Sequence, residues 1–274
     1  FNYMNKAIIK FCQNPIFYQI IKNNGTIYGT IIRKNIIENI PLDELFDDQS
    51  ILISCFAKKT YKDIIERDLN KWTKNKLTLN ITSARSEICT YTLRYLDKNI
   101  IIDFCYIKSD LSFHLNNYQK ELNLLLDIDT LYIDRYNFGM IELDNVHNRE
   151  PIPLYKVINN IKKKKFKILE KSILLSKTLV EYVLDLKEKN WINSDNILLK
   201  MSEIDDDLIE EIINQKCDIC NCENDDNTVI LPCQHYFHEK CITDYLKNFV
   251  KDCTIDDTFK CPYCTKELNI IDIL

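Results

Sequence analysis

Apolar residues open the chain at helix spacing. Ile8, Ile9, Phe11, Cys12, Ile16, Ile20 and Ile21 form a rough face over residues 4–22, interrupted at Pro15. Asn23-Asn24-Gly25 ends that helix, and a short apolar stretch runs on to Lys34 with Gly25 and Gly29 around its start. A helix stop and a tight turn account for both glycines. Residues 50–58 read as a buried strand, and residues 60–75 as a helix through Tyr61, Ile64, Ile65, Leu69 and Trp72. Residues 77–81, 88–95 and 99–107 alternate or run apolar and predict strands. Residues 116–126 fit a helix or a loop entering a strand, and residues 130–143 a hairpin turning near Asn137-Phe138-Gly139.

Pro151 and Pro153 close this mixed region. Beyond them the pattern becomes helical and basic, with a lysine run at Lys162–Lys165 and Lys167. Ile173, Leu174, Val180, Val183 and Leu184 predict a long helix from Ile168 to Lys189. The lysine run suits a nuclear signal or a nucleic-acid patch; in so lysine-rich a chain we read it as a solvated helix start. A short helix over 202–213 follows, capped by Ser202 or Asp205, with acids in its first turn and Ile204, Leu208 and Ile212 on one stripe.

Composition adds little. The 274 residues suffice for one or two domains with their own cores. A net charge of -5 gives no global attraction for nucleic acid, though local patches remain open. Abundant Asn, Ile and Lys beside three glycines reads as low-GC codon usage, of the kind found in AT-rich large DNA viruses, parasites and some protists. The chain opens on Phe1 without a secretory signal, which suits a piece of a longer protein. No run approaches the ~18 apolar residues of a membrane span. Cys12, Cys55, Cys89 and Cys105 are scattered, as buried thiols are in a reducing compartment, so a cytoplasmic or nuclear location is expected.

Chemistry concentrates at the end. Cys217, Cys220, Cys233, His235, His238, Cys241, Cys261 and Cys264 follow the pattern C-x2-C-x12-C-x-H-x2-H-x2-C-x19-C-x2-C. Zinc takes four thiolate or imidazole ligands in a tetrahedron, and two residues flanking a tight turn supply two of them. Four successive pairs within 48 residues are a strong metal signal. Two unrelated zinc knuckles or a free-thiol cluster are the bland alternatives.

This pattern resembles a RING finger of the H2 type, in which the fourth and fifth ligands are both histidine. A PHD finger has cysteine where His235 stands. The resemblance implies that alternate pairs share a metal: Cys217, Cys220, His238 and Cys241 on one Zn2+, and Cys233, His235, Cys261 and Cys264 on the other. It implies structural metals, a ubiquitin-conjugating enzyme and ubiquitin as partners, and no catalytic residue, because such ligases work by orienting a loaded conjugating enzyme. Ile219, Tyr245, Leu246 and Pro262 fall at that family's docking positions; packing around the zincs would also call for apolar residues there. Cys222 and Cys253 are spare thiols. Active relatives often carry Arg or Lys right after the last cysteine, where this chain has Thr265, with Lys266 next.

A second resemblance covers about half the chain. Tyr28-Gly29-Thr30-Ile31-Ile32-Arg33 resembles the glycine turn of polynucleotide nucleotidyltransferases of the CCA-adding and bacterial poly(A) polymerase group. Ser50-Ile51-Leu52-Ile53, Ile102-Asp103-Phe104 and the segment Leu126–Asp134 follow in that family's order. It implies an inactive domain: Ser50 and Leu52 replace the metal-binding Asp-x-Asp, and Lys34 replaces an aspartate. Asp127 and Asp129 read as polar positions on a half-exposed strand, or as a separate metal pair. The expected protein is thus α+β, with a mixed domain over 1–150, a helical connector over 151–213 and a two-zinc cross-brace RING domain over 214–274. A ubiquitin ligase choosing a protein substrate through its first domain is the leading reading; a non-catalytic zinc-binding scaffold is the alternative.

Overall fold

The computed structural model describes residues 2–47, 52–75, 81–82, 86–108, 122, 124–141, 153–169, 177–194, 199–200, 216–225, 227–252 and 258–268. The chain forms two compact units, Phe1–Leu169 and Glu170–Leu274.

The first unit opens with α1 (Asn2–Cys12) and α2 (Pro15–Lys22). Pro15 starts the second helix rather than bending one long one. Asn14 caps it, its Oδ1 accepting from the Ile16 and Phe17 amides at 3.0 and 3.3 Å, and the proline occupies a first-turn position where no N–H is missed. Ile16, Phe17, Ile20 and Ile21 point inward, and Phe17 stacks on Phe11 at 4.4 Å between ring centroids. Asn24 turns out at φ 59°, and a Cβ on Gly25 would stand 2.6 Å from Ile20 Cγ2, so this exit needs glycine. The chain continues as β1 (Thr26–Tyr28), turns at Gly29 with φ 85°, and enters α3 (Thr30–Ile32) and a π-helical turn at Arg33–Ile37. Helix α4 (Leu42–Asp47) follows.

The chain then forms β2 (Leu52–Lys58), α5 (Lys62–Leu69), β3 (Thr73–Asn75), β4 (Ile81–Thr82), β5 (Ser86–Tyr95), β6 (Lys98–Ile107), β7 (Leu131–Ile133) and β8 (Phe138–Met140). The sheet order is β3-β5-β6-β2-β1-β7-β8, with β4 beside β5. Among the described pairings of this sheet only β2 and β6 run parallel, Ser54 facing Asp103. The β5–β6 hairpin turns at Leu96 and Asp97, both at positive φ, the twist that tight hairpins require. One face of the sheet is dry: Ile53, Cys55, Ile102, Phe104, Tyr106, Tyr91 and Leu93 are all buried. A second cluster joins Tyr28, Phe56, Cys105, Ile107, Leu122, Leu124 and Ile141. Toward the other end, Leu52 and Ile101 are exposed partners in register.

Several expectations change. The last hairpin turns at Asp134–Asn137, earlier than Gly139, because Asp134 Oδ1 accepts the Tyr136 and Asn137 amides, both at 2.7 Å. Asp127 and Asp129 sit in a 3-10 turn, not on a half-exposed strand, and both are buried. Ile168 and Leu169, where a long helix was expected to start, are not helical; the described helix of that region is α7 (Lys177–Glu188). Before it come α6 (Leu154–Lys162), a turn with Lys164 at φ 52°, and β9 (Lys165–Phe166). The cause is hydrogen bonding. The Lys167 carbonyl accepts from Asp127 N at 3.0 Å, Leu169 N donates to Leu125 O at 2.9 Å, and Lys167 N donates to Asp127 Oδ1 at 2.7 Å. Those groups cannot also close a helix. Residues 154–169 accordingly belong to the first unit, so its edge falls at Leu169 rather than near residue 150. The helix expected over 202–213 and most of 77–81 and 116–126 lie outside the described residues.

The second unit holds α7, β10 (Ile192–Asn193), β11 (Leu199–Lys200), β12 (Thr228–Ile230), β13 (Tyr236–His238) and α8 (Glu239–Asp252). Strands β11, β12 and β13 form an antiparallel sheet. Among the described residues no helix is long and apolar enough to cross a membrane.

Candidate metal centre

Two loops present the first and last cysteine pairs, and they are built alike. In the first, Asn221 N donates to Cys217 O at 2.8 Å, Cys217 N donates to Cys222 O at 2.9 Å, and the backbones of Lys216 and Glu223 pair in an antiparallel β-bridge. In the second, Thr265 N donates to Cys261 O at 3.0 Å, Cys261 N donates to Lys266 O at 2.9 Å, and the backbones of Lys260 and Glu267 pair in the same way. Asn221 and Thr265 both stand at φ 58°. The turn brings two sulfurs of each loop to one side, which is why the C-x2-C spacing suits metal. The Cys222 and Lys266 amides, pointing at the Cys220 and Cys264 sulfurs, lower both thiols' pKa.

The middle pairs come from the β12–β13 hairpin and the start of α8. Gln234, at φ 68°, separates Cys233 from His235. Strand β13 ends at His238, and Cys241 lies in the first turn of α8. Pairing of Val229 with Phe237 fixes this register. Leu231, Phe237, Ile242 and Leu246 are buried beneath it.

The eight side chains converge as two groups. Cys217, Cys220, His238 and Cys241 form one; Cys233, His235, Cys261 and Cys264 form the other. Within each, the ligand atoms lie within 4.8 Å of one another. A tetrahedron with Zn–S bonds of about 2.3 Å has sulfur–sulfur edges of about 3.8 Å, so each group has the right size and donor set. His238 offers Nδ1, which lies 3.3 Å from Cys220 Sγ and 3.8 Å from Cys241 Sγ. Its Nε2 faces the Glu223 carbonyl at 2.9 Å, a contact that fixes ring and tautomer for metal binding. His235 Nδ1 lies 3.4 Å from Cys233 Sγ, and the Tyr263 ring packs on the imidazole at 4.6 Å. Burial pushes the Cys233 and Cys241 thiols up to about 12, so a metal must displace protons to bind them. Both groups are complete with four protein ligands, which makes these structural sites with no position left for substrate.

The sequence reading assigned all eight ligands to these groups. It missed the Glu223 carbonyl and Tyr263; the aromatic between the last two cysteines was the available signal for the latter. Spare Cys222 stays outside the groups, its Sγ turned to Cys220 O at 3.6 Å. Of the docking positions, Ile219 and Tyr245 are exposed and Pro262 is half-buried. Tyr245 packs edge-on against Phe259 at 5.7 Å. Leu246 is 1% exposed, so it underpins the surface rather than forming it.

In the first unit, the acids singled out from sequence are spent separately. Asp103 accepts from Thr90 Oγ1 at 2.5 Å. Asp129 accepts from Thr30 Oγ1 at 3.0 Å and faces Arg33 Nε at 3.7 Å. Asp127 is held by the Lys167 amide and by Asn160, and burial pushes it up to about 6. Among the described residues they form no third group of metal-ligand type. Ser50 lies outside the described residues.

The sequence profile of the zinc finger, C3HC4 type (RING finger), matches residues 217–264. That profile is named for one histidine, whereas this chain carries histidine at both the fourth and fifth positions. No curated protein matches the chain. Ligand order, the alternate grouping of the ligands and the profile agree that residues 217–264 form a RING finger with two Cys/His sites fit for two zinc ions.

Proposed function

We propose that this protein is a RING-type ubiquitin ligase, recruiting a ubiquitin-conjugating enzyme through its zinc domain and a protein substrate through the first unit. The observation that carries the reading is an apolar set, exposed Ile219 and Tyr245 with half-buried Pro262, on loops and a helix fixed by two complete ligand groups. RING fingers typically serve ubiquitin transfer by binding the conjugating enzyme, and their contribution to rate is orientation. The zincs would supply rigidity alone, holding Ile219 and Pro262 on loops that carry no core of their own. Thr265 spends its hydroxyl on Cys264 O at 2.7 Å, so it lends no charged fork to a bound partner. Exposed Lys266 is the nearest cation on that loop. Weak activity without a further partner is the expected result. The thiolate ligands favour a reducing setting, cytoplasmic or nuclear.

The test is reconstitution with ubiquitin, activating enzyme, ATP and a panel of conjugating enzymes. Chains should form with at least one, and Ile219→Ala should cut their rate tenfold or more while two zincs remain bound. Silence with every conjugating enzyme, in protein carrying both zincs, would leave the non-catalytic scaffold as the better reading.

A further inference from the structure

The segment between Pro151 and Leu169 holds six lysines and not one acid, in a chain whose net charge is -5. Its helix, α6, buries Val157 and Ile161. The opposite face carries Tyr155, Lys156, Asn159, Lys162 and Lys163, all exposed. Tyr155, Asn159 and Lys162 follow one another at i, i+4 and i+7, and Lys156, Asn159 and Lys163 at i, i+3 and i+7, so they form one stripe. Strand β9, just past the turn after the helix, adds exposed Lys165. A cleft of about 460 Å³ adjoins the start of α6, lined by Asn5, Ile8, Asp134, Arg135, Tyr136 and Leu154. Asp134 is occupied by the two amides of its own turn. Tyr136 is 77% exposed and Tyr155 is 75% exposed, the highest values among the large apolar side chains described.

We propose that the outer face of α6 and the basic turn behind it form a track for single-stranded nucleic acid. Phosphates lie along Lys156, Lys162, Lys163 and Lys165, and bases stack on Tyr155 and Tyr136. The chemistry fits no other polyanion as well. Lysines without acids attract a phosphate backbone, and exposed rings beside them offer π-faces that unpaired bases can use. A membrane surface would need an apolar face to insert, but the apolar face of α6 is buried in its own unit. A duplex hides its bases from both tyrosines.

Fluorescence anisotropy of labelled 20-mer oligo(U) and oligo(dT) with the full chain tests this across a salt series. Four phosphate contacts predict that log K falls with log salt at a slope of about -3. Lys162→Gln should flatten the slope by about 0.7, and changing all four lysines to Gln should nearly abolish both slope and binding. Tyr155→Ala should weaken binding about fivefold or more at unchanged slope. The zinc content and thermal melt of these surface variants should match the parent. Absence of binding at tens of micromolar, a slope indifferent to the lysines, or equal affinity for a duplex overturns the proposal. So does capture by phosphatidylserine vesicles without binding of either oligonucleotide, which would reassign the patch to a membrane surface.

Discussion

The two units of this chain hold themselves together by different means. The first packs large side chains around a sheet: Phe11, Phe17, Phe104, Tyr106 and Phe166 are fully buried. Its buried polar groups find partners inside the protein, as Asp129 does in Thr30 and Tyr28 in the Leu122 carbonyl at 2.9 Å. Around the zinc ligands the apolar set is thin, with Val229, Leu231, Phe237, Ile242, Leu246, Val250 and Phe259. There the polar groups at the centre are thiols and imidazoles aimed at one another. A group that small folds when metal satisfies what a larger core would otherwise bury. The difference predicts how each unit fails.

The largest effect should come from removing metal. Structural zinc in small fingers contributes about 10–16 kcal/mol at neutral pH. The intact chain should carry two zinc ions by native mass spectrometry. A strong chelator, or Cys217→Ser, should unfold the zinc domain while the sheet unit keeps its melting transition. A chelated protein that loses both units in one step would break the comparison.

A smaller effect belongs to the sheet unit. Asp127 is held up near 6 by burial, above its ordinary value. The folded state therefore keeps a proton that the unfolded state releases, and stability falls as pH rises from about 4 to about 6. Two pH units correspond to about 3 kcal/mol. Asp127→Asn should flatten denaturant midpoints across that window and leave the zinc domain untouched. An unchanged pH profile would remove Asp127 from the account.

The smallest expected effect distinguishes the two cysteine loops. They share hydrogen bonds and a φ of 58°, but one places Asn221 there and the other Thr265. Asparagine tolerates the left-handed region; a β-branched residue is strained there by about 1–2 kcal/mol. Thr265→Asn should raise the midpoint of the zinc domain by a few degrees. A lower midpoint would show that the Thr265 hydroxyl on Cys264 O outweighs the strain.

What could be read in advance follows the range of each interaction. The eight ligands were legible because metal spacing is local, and their division into two groups followed from the resemblance to a RING finger. The strands around Ile102 and the hairpin after Leu131 were legible from apolar alternation. The parallel contact of β2 with β6 was not, since nothing local in Ser54 announces Asp103 as its neighbour. The false long helix had a similar origin. Ile168 fits helical periodicity, but its neighbours' amides and carbonyls are claimed by residues 125–127, some forty positions earlier. Asp127 and Asp129 looked like strand positions because a 3-10 turn of three residues also separates them by two.

Helix α7 packs against α8, and Lys247 reaches Glu188 at 2.6 Å. Strand β11 likewise pairs with β12. The ligand span is thus not a cassette that can be lifted out. A transplant limited to residues 217–264 would keep every zinc ligand and both loops, yet leave α8 without its companion helix and β12 without its outer strand. Tyr245 and Lys247 stand two residues apart on that helix, one exposed and the other tied to α7. Whatever displaces α7 is therefore felt beside exposed Tyr245.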